Sequence, residues 1–401
     1  MRIKNIKIYT PEQTFVPGEM RITGEWISEI AYEDTLEPVI GEECIDGEGA
    51  YAMPGFLDMH FHGCMGADFC DGTEEAVRTI AQYEESIGVT AIAPATMTLS
   101  DEELVAILEN AAAYRKKQHF GGEDLGADLI GINMEGPFIS PVKKGAQDGK
   151  WIKPCEVASY RKYQQAADGL VKVIGLAPEE APFVDYVKTV SKEAVVSLAH
   201  TNAPYETAAA AICAGASHAV HLYNAMPPFH HRDPGVVGAV AEANDVTAEL
   251  ICDGIHVHPA MVRATFQMLG AERMILISDS MRATGLADGT YTLGGQEVSV
   301  HGKEARLVSD GALAGSVTSL PDCVRTIVKQ MGIPLETAVA CATMHPAKRL
   351  GMSDTYGVLA EGRRADVVLW NPDLELQMVL HRGKKVKTIN GEKERVNELI
   401  R

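Results

Sequence analysis

Between residues 50 and 350 the chain alternates short apolar runs with longer Ala-rich stretches whose apolar residues recur at helical spacing. The apolar runs fall at 52–57, 89–95, 129–134, 171–176, 195–199, 219–222, 246–251 and 274–278. They are short and nearly continuous, as strands buried on both faces are. Helical patterns fill most of the intervals, at 74–87, 101–117, 156–167, 183–191, 205–214 and 259–269. Eight buried strands with helical crossovers predict an α/β unit, a parallel (β/α)8 TIM barrel, over 51–354.

The two ends follow a different rule. Residues 1–50 and 355–401 are strand-like and turn-rich, and each is too short to bury a good core separately. One small, discontinuous β-sandwich domain built from both termini is therefore expected. The segment 284–313, rich in glycine and β-formers, predicts a hairpin inserted after the eighth strand.

Candidate reactive residues gather at one end of these runs. His60 and His62 follow the first run, in Met53-Pro54-Gly55-Phe56-Leu57-Asp58-Met59-His60-Phe61-His62-Gly63. Side chains two apart in an extended chain point the same way, so both imidazoles can grip one cation. Glu135 follows the third run, His200 the fifth, His221 ends the sixth, His256 and His258 follow the seventh, and Asp279 ends the eighth. In a barrel these strand ends converge on one mouth, where imidazoles and carboxylates together make a metallohydrolase pattern. A cation there lowers the pKa of a water from 15.7 toward about 7 and polarises an amide carbonyl. One carboxylate can then take the water's proton and pass it to the departing nitrogen. Taken singly, Glu135 reads as a cap and Asp279 as a solvated strand end. His119, His301 and His381 are expected at the surface.

Composition narrows the function. The 401 residues are 46% hydrophobic and 23% charged, with a net charge of −19. That charge disfavours nucleic acid and anionic membranes as partners, and means that an anionic substrate needs a local positive pocket. No apolar run approaches the roughly 20 residues that span a bilayer, and the first residues alternate like a strand rather than a secretory segment. The eight cysteines form no CxxC pair and several lie in apolar runs, as reduced core thiols do. A cytoplasmic protein is expected.

The motif around His60 and His62, with Asn133-Met134-Glu135-Gly136-Pro137-Phe138-Ile139, His200-Thr201-Asn202-Ala203, His221-Leu222-Tyr223-Asn224-Ala225-Met226, His231-Arg232-Asp233-Pro234-Gly235, Asp253-Gly254-Ile255-His256-Val257-His258-Pro259 and Leu313-Ala314-Gly315-Ser316, resembles the amidohydrolase superfamily. Within it, the motifs are similar to the N-acetylglucosamine-6-phosphate deacetylase family, over nearly the whole chain. The resemblance implies deacetylation of N-acetyl-D-glucosamine 6-phosphate by a homodimer carrying one or two divalent cations per subunit. Zn, Fe, Mn and Co suit such donors about equally. Glu135, His200 and His221 are implied as principal metal ligands, and His60 and His62 as holders of a second ion. Asp279 is implied as general base and acid, and His256 as a contact to the acetyl carbonyl or a nearby hydroxyl. Asn224 and Ala225 are expected against the phosphate, with Arg232 reaching into the neighbouring subunit's site. Ala146, Gln147, Leu313, Ala314 and Gly315 are implied as further substrate contacts, and Gln147 stands where some relatives carry histidine.

Three alternatives remain from sequence: the galacto epimer as substrate, a cyclic-amide or amidine hydrolase, and a non-catalytic scaffold. Many cyclic-amide hydrolases use a carboxylated lysine, whereas the third and fourth strand ends here offer Glu135 and Ala177-Pro178-Glu179. A scaffold has no need of the full set of ligands.

Overall fold

The computed structural model describes residues 1–33, 35–120 and 126–386. Its barrel strands are Phe56–Asp58; Val89–Ile92 continuing as Ala95–Thr96; Asp128–Leu129 continuing as Ile132–Met134; Val171–Leu176; Val195–Leu198; His218–Ala219; Thr247–Ile251; and Met274–Ile277. Successive strands pair in parallel, in chain order. The curled sheet closes through its first and last members: the Asp279 amide donates to the His60 carbonyl at 3.0 Å, and His62 to the Ser280 carbonyl at 2.7 Å. Strand alternation explains the continuous apolar runs. Ile275 and Ile277 pack inside the barrel with Leu57, Met59, Val173 and Ile251. Met274 and Leu276, on the opposite face, join the larger core beneath the helices.

Helices cover the strands at Glu74–Ser86, Asp101–Phe120, Val157–Ala166, Val184–Val190, Tyr205–Ala214 and Pro259–Leu269, where the periodicity put them. Thr73 starts the first by accepting the Ala76 amide at 3.2 Å. A further helix, Gly235–Glu242, follows the sixth strand. Its sequence is apolar on nearly every side and holds two glycines, which hides the helical period. Leu320–Met331, Leu335–Ala342 and Met344–Arg349 complete the layer.

The insertion after the eighth strand is a three-stranded antiparallel sheet, Gly289–Leu293, Gln296–His301 and Glu304–Leu307, rather than a hairpin. Gly294 and Gly295 at one turn and Gly302 at the next have left-handed backbone, so the segment reverses twice.

Strands from both ends of the chain share one seven-stranded sheet. Its order is Lys384–Lys385, Leu376–His381, Val367–Trp370, Cys44–Pro54, Arg2–Tyr9, Phe15–Thr23, Trp26–Tyr32. A Trp26–Arg364 bridge draws its far edge back, around a core of its own that includes Ile3, Ile8, Met20, Ile27, Val367 and Leu380. Residues 387–401 of the expected terminal unit lie outside those described. His119 and His301 are exposed as expected, but His381 is buried, its ring Nδ1 on Glu85. It sits where the terminal sheet meets the bottom of the barrel, an interface that no local pattern announces.

Candidate active site and metal centre

The third strand delivers Glu135 to the centre of the barrel mouth. A Cβ at Gly175 would lie 2.5 Å from the Glu135 carbonyl oxygen, so glycine on the fourth strand permits this close approach. Three imidazoles surround one carboxylate oxygen. Glu135 Oε1 lies 3.0 Å from His200 Nε2, 3.0 Å from His221 Nε2 and 3.3 Å from His60 Nε2. On the other side, His62 Nε2 lies 3.5 Å from Glu135 Oε2 and 3.3 Å from Asp279 Oδ1. Two overlapping groups therefore offer donor atoms within 4.8 Å of one another: His60, His62 and Asp279, and His60, Glu135 and His221.

The ring nitrogens facing away from this centre are engaged elsewhere. His200 Nδ1 meets the Lys143 carbonyl at 2.8 Å and His221 Nδ1 the Asn224 carbonyl at 3.1 Å. A carbonyl can only accept, so Nδ1 carries the hydrogen and Nε2 is left with its lone pair inward, as a ligand needs. His60 is fixed the same way by Glu249, whose Oε2 lies 2.8 Å from Nδ1. His60 Nε2 and Asp279 Oδ1 are buried without a hydrogen-bond partner. These donors fit a divalent cation.

Backbone strain aims the groups. His200 (φ 43°), His221 (φ 27°) and Asp279 (φ 49°) all have left-handed backbone at the ends of their strands, as do Tyr223 and Ala225 in the following turn. A non-glycine residue in that region costs on the order of 1–3 kcal/mol and persists only where its surroundings impose it. Hydrogen bonds hold the last of them, since the Ser316 amide donates to the Asp279 carbonyl at 2.7 Å.

Electrostatics point the same way. Burial opposes charge on Glu135, but His200, His221 and His60 outweigh it and hold the carboxyl well below its ordinary range. Burial likewise pushes Asp279 up, and the adjacent His62 ring, with the His60 and His221 imidazoles, brings it below the usual carboxylate value. In return, the carboxylates overcome burial and raise His60, His62 and His200 above 6.5. The cluster demands positive charge, and protons and a metal ion compete for the same Nε2 lone pairs.

A cavity of about 310 Å³ opens over this centre. Its walls include the predicted Ala146, Gln147, Asn224, Ala225, His256, Leu313, Ala314 and Gly315, beside His62, Glu135, His200, His221 and Asp279. Gln147 also braces Glu135: its Nε2 donates to Glu135 Oε2 at 2.5 Å and its Oε1 accepts the Thr98 amide at 2.5 Å. His256 is steered by Asp253, whose Oδ2 takes Nδ1 at 2.7 Å. Burial lowers the affinity of this imidazole for protons, but the Asp253 carboxylate outweighs it and the pKa rises. His258 is exposed and caps the helix Pro259–Leu269, its Nδ1 accepting the Ala260 amide. Arg232 is exposed and outside the cavity of its own chain, with Nη1 2.6 Å from His231 Nε2.

A family model described as the amidohydrolase family matches residues 51–391. The chain belongs to the amidohydrolase family. The N-acetylglucosamine-6-phosphate deacetylase of Bacillus subtilis (strain 168) is 37% identical over 382 residues, 95% of this amidohydrolase and 96% of that protein. The N-acetylgalactosamine-6-phosphate deacetylase of Escherichia coli O157:H7 is 35% identical over 332 residues, 82% and 86% of the respective chains. A solved N-acetyl-D-glucosamine-6-phosphate deacetylase mutant from Mycobacterium smegmatis, in complex with N-acetyl-D-glucosamine-6-phosphate, superposes with a TM-score of 0.88 at 30% identity. The match covers 97% of this amidohydrolase and 99% of that chain.

Two supporting groups of this amidohydrolase escaped sequence reasoning. Glu249 lies in the seventh strand and takes the His60 ring, the His218 ring (3.0 Å) and the His221 amide (3.1 Å). Asp253 sits one turn before His256. The available signal was a charge out of place: Glu249 is the one charged residue in the run 246–251, and a buried carboxylate needs partners.

Proposed function

We propose that the chain deacetylates N-acetyl-D-glucosamine 6-phosphate to D-glucosamine 6-phosphate and acetate, as a cytoplasmic step of amino-sugar catabolism. One observation carries this reading: Glu135, four imidazoles and Asp279 converge from five strand ends on one centre beneath the cavity. The named relatives supply the substrate class. Glu135, His200 and His221 would hold the principal divalent ion, and His60 and His62 a second. Zn, Fe, Mn and Co are all compatible with these donors. When bound, the cation acidifies water and polarises the acetyl carbonyl.

The chain's own groups then divide the work. Asp279 takes a proton from water as the new C–O bond forms, and returns it to the sugar nitrogen as the C–N bond breaks. His256, held at Nδ1 by Asp253, presents Nε2 to the acetyl carbonyl or a neighbouring hydroxyl. Gln147 steadies Glu135. The turn at Asn224 and Ala225 faces the phosphate, and Arg232 reaches it from the second subunit of a homodimer. The position of Arg232 outside its own cavity supports that division. Mixing Arg232→Ala with Asp279→Asn protein should restore activity in hybrid dimers.

The Escherichia coli relative favours a second reading, with the galacto epimer as substrate, because one hydroxyl's orientation separates the two sugars. Protein of measured metal content, offered both phosphorylated epimers and unphosphorylated N-acetylglucosamine, decides between them. Equal release of amine and acetate from the gluco 6-phosphate is expected. Release from neither phosphorylated sugar would overturn the proposal.

A further inference from the structure

The cavity of this strongly acidic chain is lined by carboxylates, imidazoles, small residues and a single permanent cation, Lys143. We propose that Lys143 is a specificity-determining residue, which pairs in cis with the phosphate of the substrate; this rests on the reading above that the substrate is a sugar phosphate. The metal ions would be committed to Glu135, Asp279 and the acetyl end of the substrate, so the phosphate needs a partner of its own in a chain of net charge −19. Supplying it from within the same subunit requires a cation on the cavity wall, and no other lysine or arginine stands there among the described residues.

The nearby cations do not line this wall. Lys144 turns to the Gln147 carbonyl, with Nζ at 3.3 Å. Arg306, behind Leu313, pairs its Nε with Glu304 at 2.7 Å and donates Nη1 to the Gly311 carbonyl at 2.9 Å. Lys143 differs. Its Nζ donates to the Met226 carbonyl at 3.2 Å, beside the Asn224 and Ala225 turn that forms part of the same wall. An ammonium group has three hydrogens, so one bond to Met226 leaves two for a ligand.

The backbone prepays part of the ordering. The Ser140 amide donates to the His200 carbonyl at 2.8 Å, the Lys143 amide to the Ser140 carbonyl at 3.1 Å, and the Lys143 carbonyl accepts His200 Nδ1 at 2.8 Å. Lys143 is thus clamped to a metal-ligand histidine through its main chain, while its half-buried side chain carries the charge along the wall. Fixing the stem in advance lowers the entropy lost when the ammonium meets an anion. Main chain and side chain therefore have separable duties, and substitution of the side chain isolates the second.

The test uses the metal-loaded, full-length protein and its Lys143→Met and Lys143→Arg variants. Methionine keeps much of the stem and removes the charge. The readouts are the ratio of kcat/KM for N-acetylglucosamine 6-phosphate over unphosphorylated N-acetylglucosamine, metal content, and competitive inhibition by glucose 6-phosphate, which carries the phosphate without the amide. Loss of one charge-assisted contact predicts a fall of about ten- to a hundredfold in that ratio for Lys143→Met, and a parallel loss of inhibition. Lys143→Arg should recover much of both, and metal content should not change. An unchanged ratio would show that Lys143 serves only through its backbone. Equal losses on both sugars with loss of metal would show that its side chain supports the metal centre rather than the phosphate. Either result overturns the proposal and leaves the deacetylase reading intact. A wild-type protein with no preference for the phosphorylated sugar would overturn both.

Discussion

The third barrel strand carries a buried carboxylate at each end, and the two ends solve the problem of buried charge in opposite ways. At its start, Asp128 faces Arg364 (2.7 Å), Arg382 and the His381 ring (3.6 Å), while Asp366 pairs with Arg364 and Glu85 with His381. Three acidic groups meet two permanent guanidinium cations and one imidazole whose pKa the carboxylates raise to about 10, all drawn from this chain. Just past the other end, Glu135, Asp279 and Glu249 have only imidazoles as ion-pair partners among the described residues. An imidazole offsets a carboxylate only while it carries a second proton, and Nε2 must give that proton up to bind a metal ion. The lower cluster is complete in itself and reads as a clamp between barrel and terminal sheet; the upper one calls for an added cation. Counting charges across a buried cluster thus separates structure from chemistry where proximity alone does not.

The largest effect that would break the comparison lies at the upper end. Replacing His221 or His200 by Ala should strip the tighter metal and abolish turnover, with metal analysis and amine release read on the same sample. A fully metallated, active His221→Ala protein would sink the assignment. Next comes Asp279→Asn, which keeps shape but cannot take up a proton. It should lower kcat by about a hundredfold or more while preserving metal content and affinity for the sugar. Metal lost in proportion to activity would instead make Asp279 a ligand first.

A smaller effect sharpens the contrast within the upper cluster. Glu249 touches no cavity wall, yet it orients His60 and ties it to His218 and the His221 amide. Glu249→Gln can keep two of those contacts but gives up the charge behind His60. Loss of such outer support weakens metal binding by about ten- to a hundredfold, here for the ion at His60 and His62. Metal titration with retained thermal stability is the expected result. Unaltered metal affinity with a lowered Tm would place Glu249 with the structural cluster instead.

The upper cluster was far more legible in the sequence than the lower one. Its residues stand at the ends of apolar runs, so a repeated local pattern placed His60, Glu135, His200, His221 and Asp279 together from the sequence. Apolar periodicity likewise marked all eight barrel strands, although its first run, 52–57, merged the end of the terminal-sheet strand Cys44–Pro54 with the start of the barrel strand Phe56–Asp58. What it hid was the supporting geometry. The left-handed turns at His200, His221 and Asp279 involve no glycine, so their sequence carries no mark of them. The lower cluster joins Glu85, Asp128, Arg364, Asp366, His381 and Arg382, residues up to 297 positions apart, through a contact between two units. His381 therefore read as a surface residue, because what buries it comes from elsewhere in the chain.

The lower cluster makes a prediction of its own, the smallest here and the one least tied to catalysis. Burial alone would lower the pKa of His381, but the carboxylates of Asp128, Glu85 and Asp366 outweigh it and raise the value from 6.5 to about 10. Its folded pKa is thus higher than its unfolded one, so the folded state binds the proton more tightly. Its contribution to stability is fully present below about pH 6.5 and fades as pH rises toward about 10. Wild-type protein should therefore lose Tm steadily between those limits, by on the order of a few kcal/mol of stability in all. His381→Gln cannot bind the proton; it should start lower and show a flatter profile over the same range. Because the cluster lies at the far end of the barrel, kcat per folded molecule should match wild type. Parallel Tm profiles would mean that His381 is neutral in the fold, and that the balance of charges claimed for the clamp is wrong.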